Sequence, residues 1–158
     1  GIYLHVGSGI SFPEQIANLT RTNIHALDKQ KNNIAIDYEG FISKAPILAT
    51  LYLYPAGTDR DRSEKEYKHN MTEVDMIKRM ADVSVIQDSL VYNQDGKTVT
   101  GYSIVMDAKR MTSLLNLYEC GEWFFKVRIS SGLDPAATKQ LAQSIVEAIA
   151  PTKALKSD

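Results

Sequence analysis

The sequence has a single cysteine, no long apolar run and no excess of charge of either sign. Cys120 alone excludes an internal disulfide and a multi-thiolate metal site. No apolar stretch approaches the roughly 18–20 residues that a membrane-spanning helix needs. The 18 basic and 19 acidic residues give a net charge of −1. This balance excludes a broad electrostatic attraction to nucleic acid or to an anionic membrane.

Recognisable catalytic and cofactor motifs are also missing. Gly7-Ser8-Gly9 lacks the Gly-Lys-Ser/Thr ending of a phosphate-binding loop, and no Gly-x-Ser-x-Gly nucleophile elbow is present. His5, His25 and His69 are not at a metal-ligand spacing. We therefore predict no catalytic residue, no metal site and no cofactor.

Cys120 is the one candidate thiol nucleophile. It lies at a predicted hairpin tip next to Glu119, with Glu122 two residues further on. Nearby carboxylates disfavour the thiolate, which is the reactive form of cysteine. We expect a partly exposed and unreactive side chain.

What the sequence does contain is typical of one globular domain. The chain has 158 residues, of which 44% are hydrophobic, enough to bury a core without disulfides or metals. No repeat, linker or low-complexity segment divides it. We predict a single α+β domain over residues 1–152 and a frayed C-terminal tail over residues 153–158.

Strand patterns dominate the chain. Residues 19–27 and 34–39 alternate in polarity, and residues 47–54 are apolar on both faces, which predicts a central strand covered on both sides. Asp95-Gly96 is a strong hairpin signal. It belongs to a predicted four-stranded antiparallel meander over residues 83–131, which the earlier strands extend.

Helices are predicted at three places. Pro13 is suited to the first turn of a short helix over residues 12–17. A helix over 63–82 has an apolar stripe; its members are Tyr67, Met71, Val74, Ile77 and Ala81. A helix over 134–150 is capped by Asp134 and ended by Pro151. The two long helices should cover the faces of the sheet.

A family resemblance accompanies this order of elements. It is carried by Phe12-Pro13-Glu14-Gln15-Ile16-Ala17 leading to Arg21, by Ala49-Thr50-Leu51-Tyr52-Leu53-Tyr54-Pro55, and by the strand Trp123 to Ser130 with the helix Leu141 to Pro151. These phrases resemble the PsbP/Mog1-like domains. The resemblance implies an α/β/α sandwich with a mostly antiparallel sheet, found in small secreted or lipid-anchored bacterial proteins. Members of that group include accessory subunits and a binder of a small GTPase, so it implies no catalytic residue.

The resemblance also bears on location. Residue 1 is Gly, followed directly by an apolar stretch, which is typical of a chain whose leader has been removed. We expect a periplasmic or extracellular protein, with a lipid anchor as one form of it. The alternative is a cytoplasmic protein shortened at its start.

Tyrosines are the most distinctive side chains. There are eight, against four phenylalanines, and a buried tyrosine needs a partner for its hydroxyl group. Tyr52 and Tyr54 share one strand face, which Tyr38 and Tyr102 can join. These four predict a ligand-binding groove. The alternative is packing between sheet and helix with the hydroxyl groups at the rim.

Three function classes follow. The leading hypothesis is a non-enzymatic binding or accessory domain of an exported bacterial protein, with a protein partner or a small apolar ligand. Nucleic acid is not expected, because Lys126 and Arg128 are not interleaved with aromatic residues. The first alternative is a hydrolase with a dispersed acid/base site that uses Asp37, Glu39 or a histidine. The second is a structural subunit of a homo-oligomer, joined through outer strands.

Overall fold

The computed structural model describes residues 1–80 and 83–155, apart from the side chains of Ile77 and Met80. Within them, one eight-stranded antiparallel sheet dominates, in the order β3-β4-β5-β6-β10-β9-β8-β7, and a separate hairpin is formed by β1 and β2. The strands are β1 (Tyr3–His5), β2 (Ile10–Phe12), β3 (Gln15–Ile16), β4 (Leu19–Ala26), β5 (Ile34–Ile42), β6 (Ala45–Pro55), β7 (Ser84–Gln94), β8 (Lys97–Ala108), β9 (Met111–Cys120) and β10 (Trp123–Ser131). The helices are α1 (Arg62–Met80) and α2 (Pro135–Ile149), followed by a 3₁₀ helix at Pro151–Ala154.

Most of the strand order is as predicted. β7 to β10 form the expected meander, and β6 lies near the centre of the sheet, between β5 and β10. The hairpin between β7 and β8 turns through Asp95 and Gly96, with φ of 52° and 74°. These left-handed values are those of the tight turn that Asp-Gly favours.

One face of the sheet, called here the α2 face, is almost fully buried. Its core includes Leu51 and Phe125, which share a buried cluster with Leu141 and Ile145 of α2. Ile10 and Phe12 of the small hairpin belong to the same cluster. Asp134 caps α2 by accepting a hydrogen bond from the backbone N–H of Ala137, as the sequence predicts.

The opposite face, called here the α1 face, has a smaller core. Val74 of α1 shares a buried cluster with Ile104, Leu115, Leu117 and Phe124, which lie on β8, β9 and β10. The helix therefore covers a strip over these three strands. The predicted end of α1 at 82 and the stripe residue Ala81 lie outside the described residues, as does the side chain of Ile77.

The predicted α/β/α sandwich is wrong. Strands make up 52% of the structure and helices 24%, so the fold is a mostly antiparallel sheet of broad α+β type. The reason is geometric, since eight strands spaced about 4.8 Å apart span roughly 34 Å. A single helix with its side chains is only about 10–12 Å wide, so α1 leaves much of its face open.

Two local predictions also need correction. Residues 12–17 form no helix; Phe12 ends β2, and Gln15–Ile16 pairs with Leu19 and Thr20. β6 is central but buried on one face only. Leu51 and Leu53 are fully buried, whereas Leu48 on the other face is 42% exposed.

The C-terminal segment is ordered further than predicted. Residues 151–154 form the 3₁₀ helix, in which Thr152 and Ala154 are buried. Leu155 packs against the core of the α2 face. The expected tail at 153–158 is thus part of the domain up to 155, and residues 156–158 lie outside the described residues.

Candidate functional site

The four predicted tyrosines do not share one face. Tyr38 pairs with Ala49 in the register of β5 and β6, whereas Tyr52 pairs with Ala35. Because alternate residues of a strand point to opposite faces, Tyr38 lies on the α2 face and Tyr52 on the α1 face. Tyr38 is 1% exposed. Its hydroxyl donates to the carbonyl of Pro13 at 2.6 Å.

Tyr54 and Tyr102 lie on the α1 face but anchor the helix. The Tyr54 hydroxyl donates to Oε1 of Glu66 at 2.7 Å, and Tyr102 accepts from Nδ2 of Asn70 at 3.3 Å. Tyr67 stands edge-on to Tyr102, with ring centroids 4.5 Å apart. Burial is the main cause of a raised pKa at both hydroxyls. Both rings therefore pack between sheet and helix, which was the alternative interpretation of these tyrosines.

Tyr52, the fourth of these tyrosines, lies on the α1 face and contacts Lys126. The ammonium group of Lys126 on the neighbouring strand lies 4.7 Å from the centroid of the Tyr52 ring and 5.6 Å from that of Tyr54. These distances are those of a cation–π interaction. Burial lowers the pKa of Lys126, while the nearby Glu66 acts in the opposite direction.

A polar cluster lies on the same face, next to Tyr52. Oδ2 of Asp37 is 3.2 Å from Nε2 of His25. The hydroxyl of Thr50 donates to the other carboxylate oxygen at 2.7 Å. The sheet register produces this contact, because Asp37 pairs directly with Thr50 and the β-bulge between Arg21 and Asn23 places His25 on this side.

The cluster is part of a surface that α1 does not cover. We call this surface the open flank; its side chains come from β4, β5, β6 and the adjacent part of β10. Phe41 is 69% exposed and Leu48 is 42% exposed, and both lie on this surface by strand alternation. The open flank comprises His25, Asp37, Glu39, Phe41, Leu48, Thr50, Tyr52 and Lys126.

The arrangement of the polar cluster does not suit nucleophilic catalysis. A hydroxyl nucleophile needs a base as its direct partner. Here the carboxylate of Asp37 stands between Thr50 and His25, so the imidazole does not reach the hydroxyl. Glu39, the other predicted carboxylate, is exposed.

The remaining candidate groups lie apart. His5 is buried under Trp123 at a ring distance of 4.9 Å, and its ring nitrogens bond to Ser8 and the carbonyl of Asn32. Burial lowers its pKa. His69 lies on α1 and is exposed. Among the described residues, no group of three or more His, Cys, Asp or Glu side chains is arranged to hold a metal ion.

Cys120 is fully buried, so the prediction of a partly exposed thiol is wrong. The reason lies in the C-terminal segment, which packs against this hairpin; Leu155 is the nearest residue to the side-chain position of Gly121. Burial raises the pKa of the Cys120 thiol to about 12. The thiol therefore stays protonated at neutral pH.

Cavities elsewhere on the surface do not coincide with the open flank. One of about 460 Å³ lies between the small hairpin and the turn at 30–32. Another, of about 180 Å³, lies beside Ser63 and Glu119 at the start of α1. There the Glu119 carboxylate accepts from Ser63 and from Nε of Arg62. The Glu119 carboxylate thus has structural partners at the start of α1.

Comparison with known proteins identifies no relative. The chain matches no protein-family model, no curated protein and no solved structure. The resemblance to PsbP/Mog1-like domains stays a prediction that these comparisons do not test. Within the described residues, neither α1 nor α2 has the length and apolar composition that crossing a bilayer requires.

Proposed function

We propose that the protein is a non-enzymatic binding module and that the open flank is its docking surface for a protein partner. The observation that carries the proposal is the combination of exposed Phe41 and Leu48 with the hydrogen-bonded His25, Asp37 and Thr50 on one continuous strand surface. Exposed apolar side chains rimmed by polar groups mark interaction sites in soluble domains.

The shape of the surface favours a protein over a small apolar ligand. Small molecules are bound in concave pockets that enclose most of their surface, and the cavities named above are lined by other residues. The open flank is a sheet surface, and three of the four predicted ligand tyrosines use their hydroxyl groups inside the fold. A protein partner can cover such a surface with apolar anchors and hydrogen bonds.

The polar cluster supports recognition rather than chemistry. Asp37 fixes the side chains of His25 and Thr50, so their remaining donor and acceptor groups are held in place for a partner. Ordering these groups in advance lowers the entropy that binding costs. The hydrolase alternative has no comparable support, because Asp37, Glu39 and the histidines do not converge in a cavity.

The experiment compares charged variants on and off the open flank. Leu48→Glu and Phe41→Glu each place a carboxylate on the proposed surface, and Met76→Glu, at an exposed position of α1, is the matched control. We expect one protein from the source cell to be captured in equal amounts by the wild type and the Met76 variant, and at least about tenfold less by the open-flank variants. Equal capture by all four proteins would contradict the proposal.

The proposed setting follows the same hypothesis. An exported bacterial accessory domain would meet its partner in the periplasm or outside the cell. Cell fractionation that locates the full-length gene product tests this. A cytoplasmic product would contradict the proposed export but would leave the docking proposal for the open flank unaffected.

A further inference from the structure

β7 is an unprotected edge of the sheet. It has eleven residues and pairs with β8 along its whole length without a register shift, from Ser84 opposite Asp107 to Gln94 opposite Lys97. Among the described residues, no strand pairs with its outer side. A long, regular edge strand presents a row of backbone N–H and C=O groups that can pair with another chain.

The opposite edge of the sheet is shorter and less regular. There the outermost strand, β3, has two residues, and β4 carries a β-bulge between Arg21 and Asn23. Short edge strands, bulges and charged residues are the usual devices against edge pairing. β7 has no proline and no basic residue, and its one charged side chain is Asp88. Val91 and Ile86 are 64% and 45% exposed.

The tight turn determines which backbone groups of β7 point outward. In a two-residue turn, the carbonyl of the residue before the turn accepts a hydrogen bond from the residue after it, so Gln94 is a hydrogen-bonded partner of Lys97. Antiparallel pairs alternate between hydrogen-bonded and non-hydrogen-bonded residues. Even-numbered residues of β7 thus bond to β8, and odd-numbered residues direct their N–H and C=O groups outward. Ser89, the middle residue of the strand, is one of these.

We propose that β7 pairs antiparallel with β7 of a second copy of this chain, on a two-fold axis at Ser89. Because Ser89 directs its backbone groups outward, the two copies of Ser89 on the axis would form a hydrogen-bonded pair, and the axis would lie at the centre of the strand. Pairing is then possible along all eleven residues. The result is a symmetric dimer with one continuous sheet, in which the same surface is used by both copies.

The side chains fit this register. On the α2 face, Ile86 stands opposite the partner's Tyr92, a β-branched and aromatic pair that stabilises antiparallel strands. On the α1 face, Val91 stands opposite the partner's Gln87, so that its exposed side chain becomes covered. Asp88 stands opposite the partner's Leu90. Like charges therefore do not stand directly opposite each other.

A cysteine at the axis tests the register directly. In Ser89→Cys, the two α-carbons of a hydrogen-bonded antiparallel pair would be about 5.5 Å apart, within the range of about 4.4–6.8 Å for disulfides. The native Cys120 is buried and does not compete. Asn23→Cys, at an exposed position near the opposite edge, is the control. Under mild oxidation we expect Ser89→Cys to form a disulfide-linked dimer. Asn23→Cys, oxidised for the same time, should stay monomeric.

A charge at the axis tests the contact without cross-linking. Ser89→Lys places two ammonium groups directly opposite each other, whereas Asn23→Lys adds the same charge at the other edge. Sedimentation of the wild type across a range of concentrations should give twice the monomer mass. We expect Ser89→Lys to weaken the dimer by roughly tenfold or more and Asn23→Lys to leave it unchanged, with circular dichroism confirming that both are folded.

The opposite results would overturn the proposal. A wild-type protein that is monomeric at every concentration excludes this dimer, and so does equal cross-linking of the two cysteine variants. A dimer that survives Ser89→Lys but is lost in Asn23→Lys would be formed by the β4 side of the sheet, where Asn23 pairs with Asp37 of the open flank. The outcomes at Ser89 concern β7 alone and leave the docking proposal unaffected.

Discussion

The two faces of the sheet are built from the same strands but differ in how far they are covered. On β6, Leu51 and Leu53 are fully buried beneath α2 and the small hairpin, while Leu48 on the opposite side is partly exposed. The α2 face is buried almost throughout, like the interior of a domain. The α1 face is buried only where α1 covers β8, β9 and β10. We therefore expect stability to depend mainly on the α2 face, whereas the proposed docking surface lies on the α1 face.

The largest expected effect comes from a matched pair of substitutions on β6. Leu51→Ala should lower the free energy of unfolding by about 2–5 kcal/mol, because it leaves a cavity in a closely packed core. Leu48→Ala, three residues away on the other face, should cost under about 1 kcal/mol. Urea denaturation of both variants measures the comparison, and similar losses would show that the two faces contribute equally.

Alkaline pH should act on both faces, because burial also raises the pKa of Tyr54 and Tyr102 on the α1 face. Burial raises the pKa of Cys120 from 9.0 to about 12 and that of Tyr38 from 10.0 to about 12. Since the unfolded chain loses these protons at lower pH than the folded chain, the stability they contribute is complete below pH 9.0 and falls as the pH rises toward about 12.

Cys120→Ala isolates the thiol in that dependence. We expect the loss of stability between pH 9.0 and about 12 to be shallower in this variant, by an amount on the order of a few kcal/mol at the upper end. Unfolding measured at several pH values gives the slope. An unchanged slope would mean that the thiol is not buried, which reaction with a thiol reagent at neutral pH would also reveal.

The cap of α2 should have a smaller effect. Asp134→Ala removes the acceptor for the Ala137 N–H at 2.8 Å and should cost about 1 kcal/mol. Asp134→Ser keeps an acceptor and should restore most of this loss. If the two variants have the same thermal midpoint, the side-chain cap does not stabilise the helix.

The smallest expected effect is on the open flank. A double-mutant cycle with Tyr52→Leu and Lys126→Met should give a coupling of about 0.5–1 kcal/mol, the usual value for a partly exposed cation–π pair. A coupling near zero would show that the ammonium group and the ring do not stabilise each other despite their closeness. A much larger coupling would show that this part of the α1 face also contributes substantially to stability.

The sequence predicts the parts of the fold that depend on short segments. Asp95-Gly96 has the backbone freedom that its turn requires, and Asp134 with Pro135 begins α2 as expected. Both signals act within a few residues and need no knowledge of distant contacts.

Features that depend on distant segments were predicted wrongly. Whether Tyr38 shares a face with Tyr52 depends on the register between β5 and β6, and a shift of one residue reverses the answer. The burial of Cys120 depends on the C-terminal segment folding over its hairpin. The open flank could not be predicted either, since it follows from the width of the sheet relative to one helix.

The place of β10 in the sheet has a consequence for how the protein is made. β6 lies beside β10, with Ile47 opposite Ser131 and Pro55 opposite Trp123. While the ribosome is still adding the residues between them, one side of the apolar strand β6 has no neighbour. Closing the sheet requires contacts between segments far apart in sequence, which slows folding. A chain that terminates before β10 would leave β6 as an apolar edge, and we expect such a fragment to aggregate.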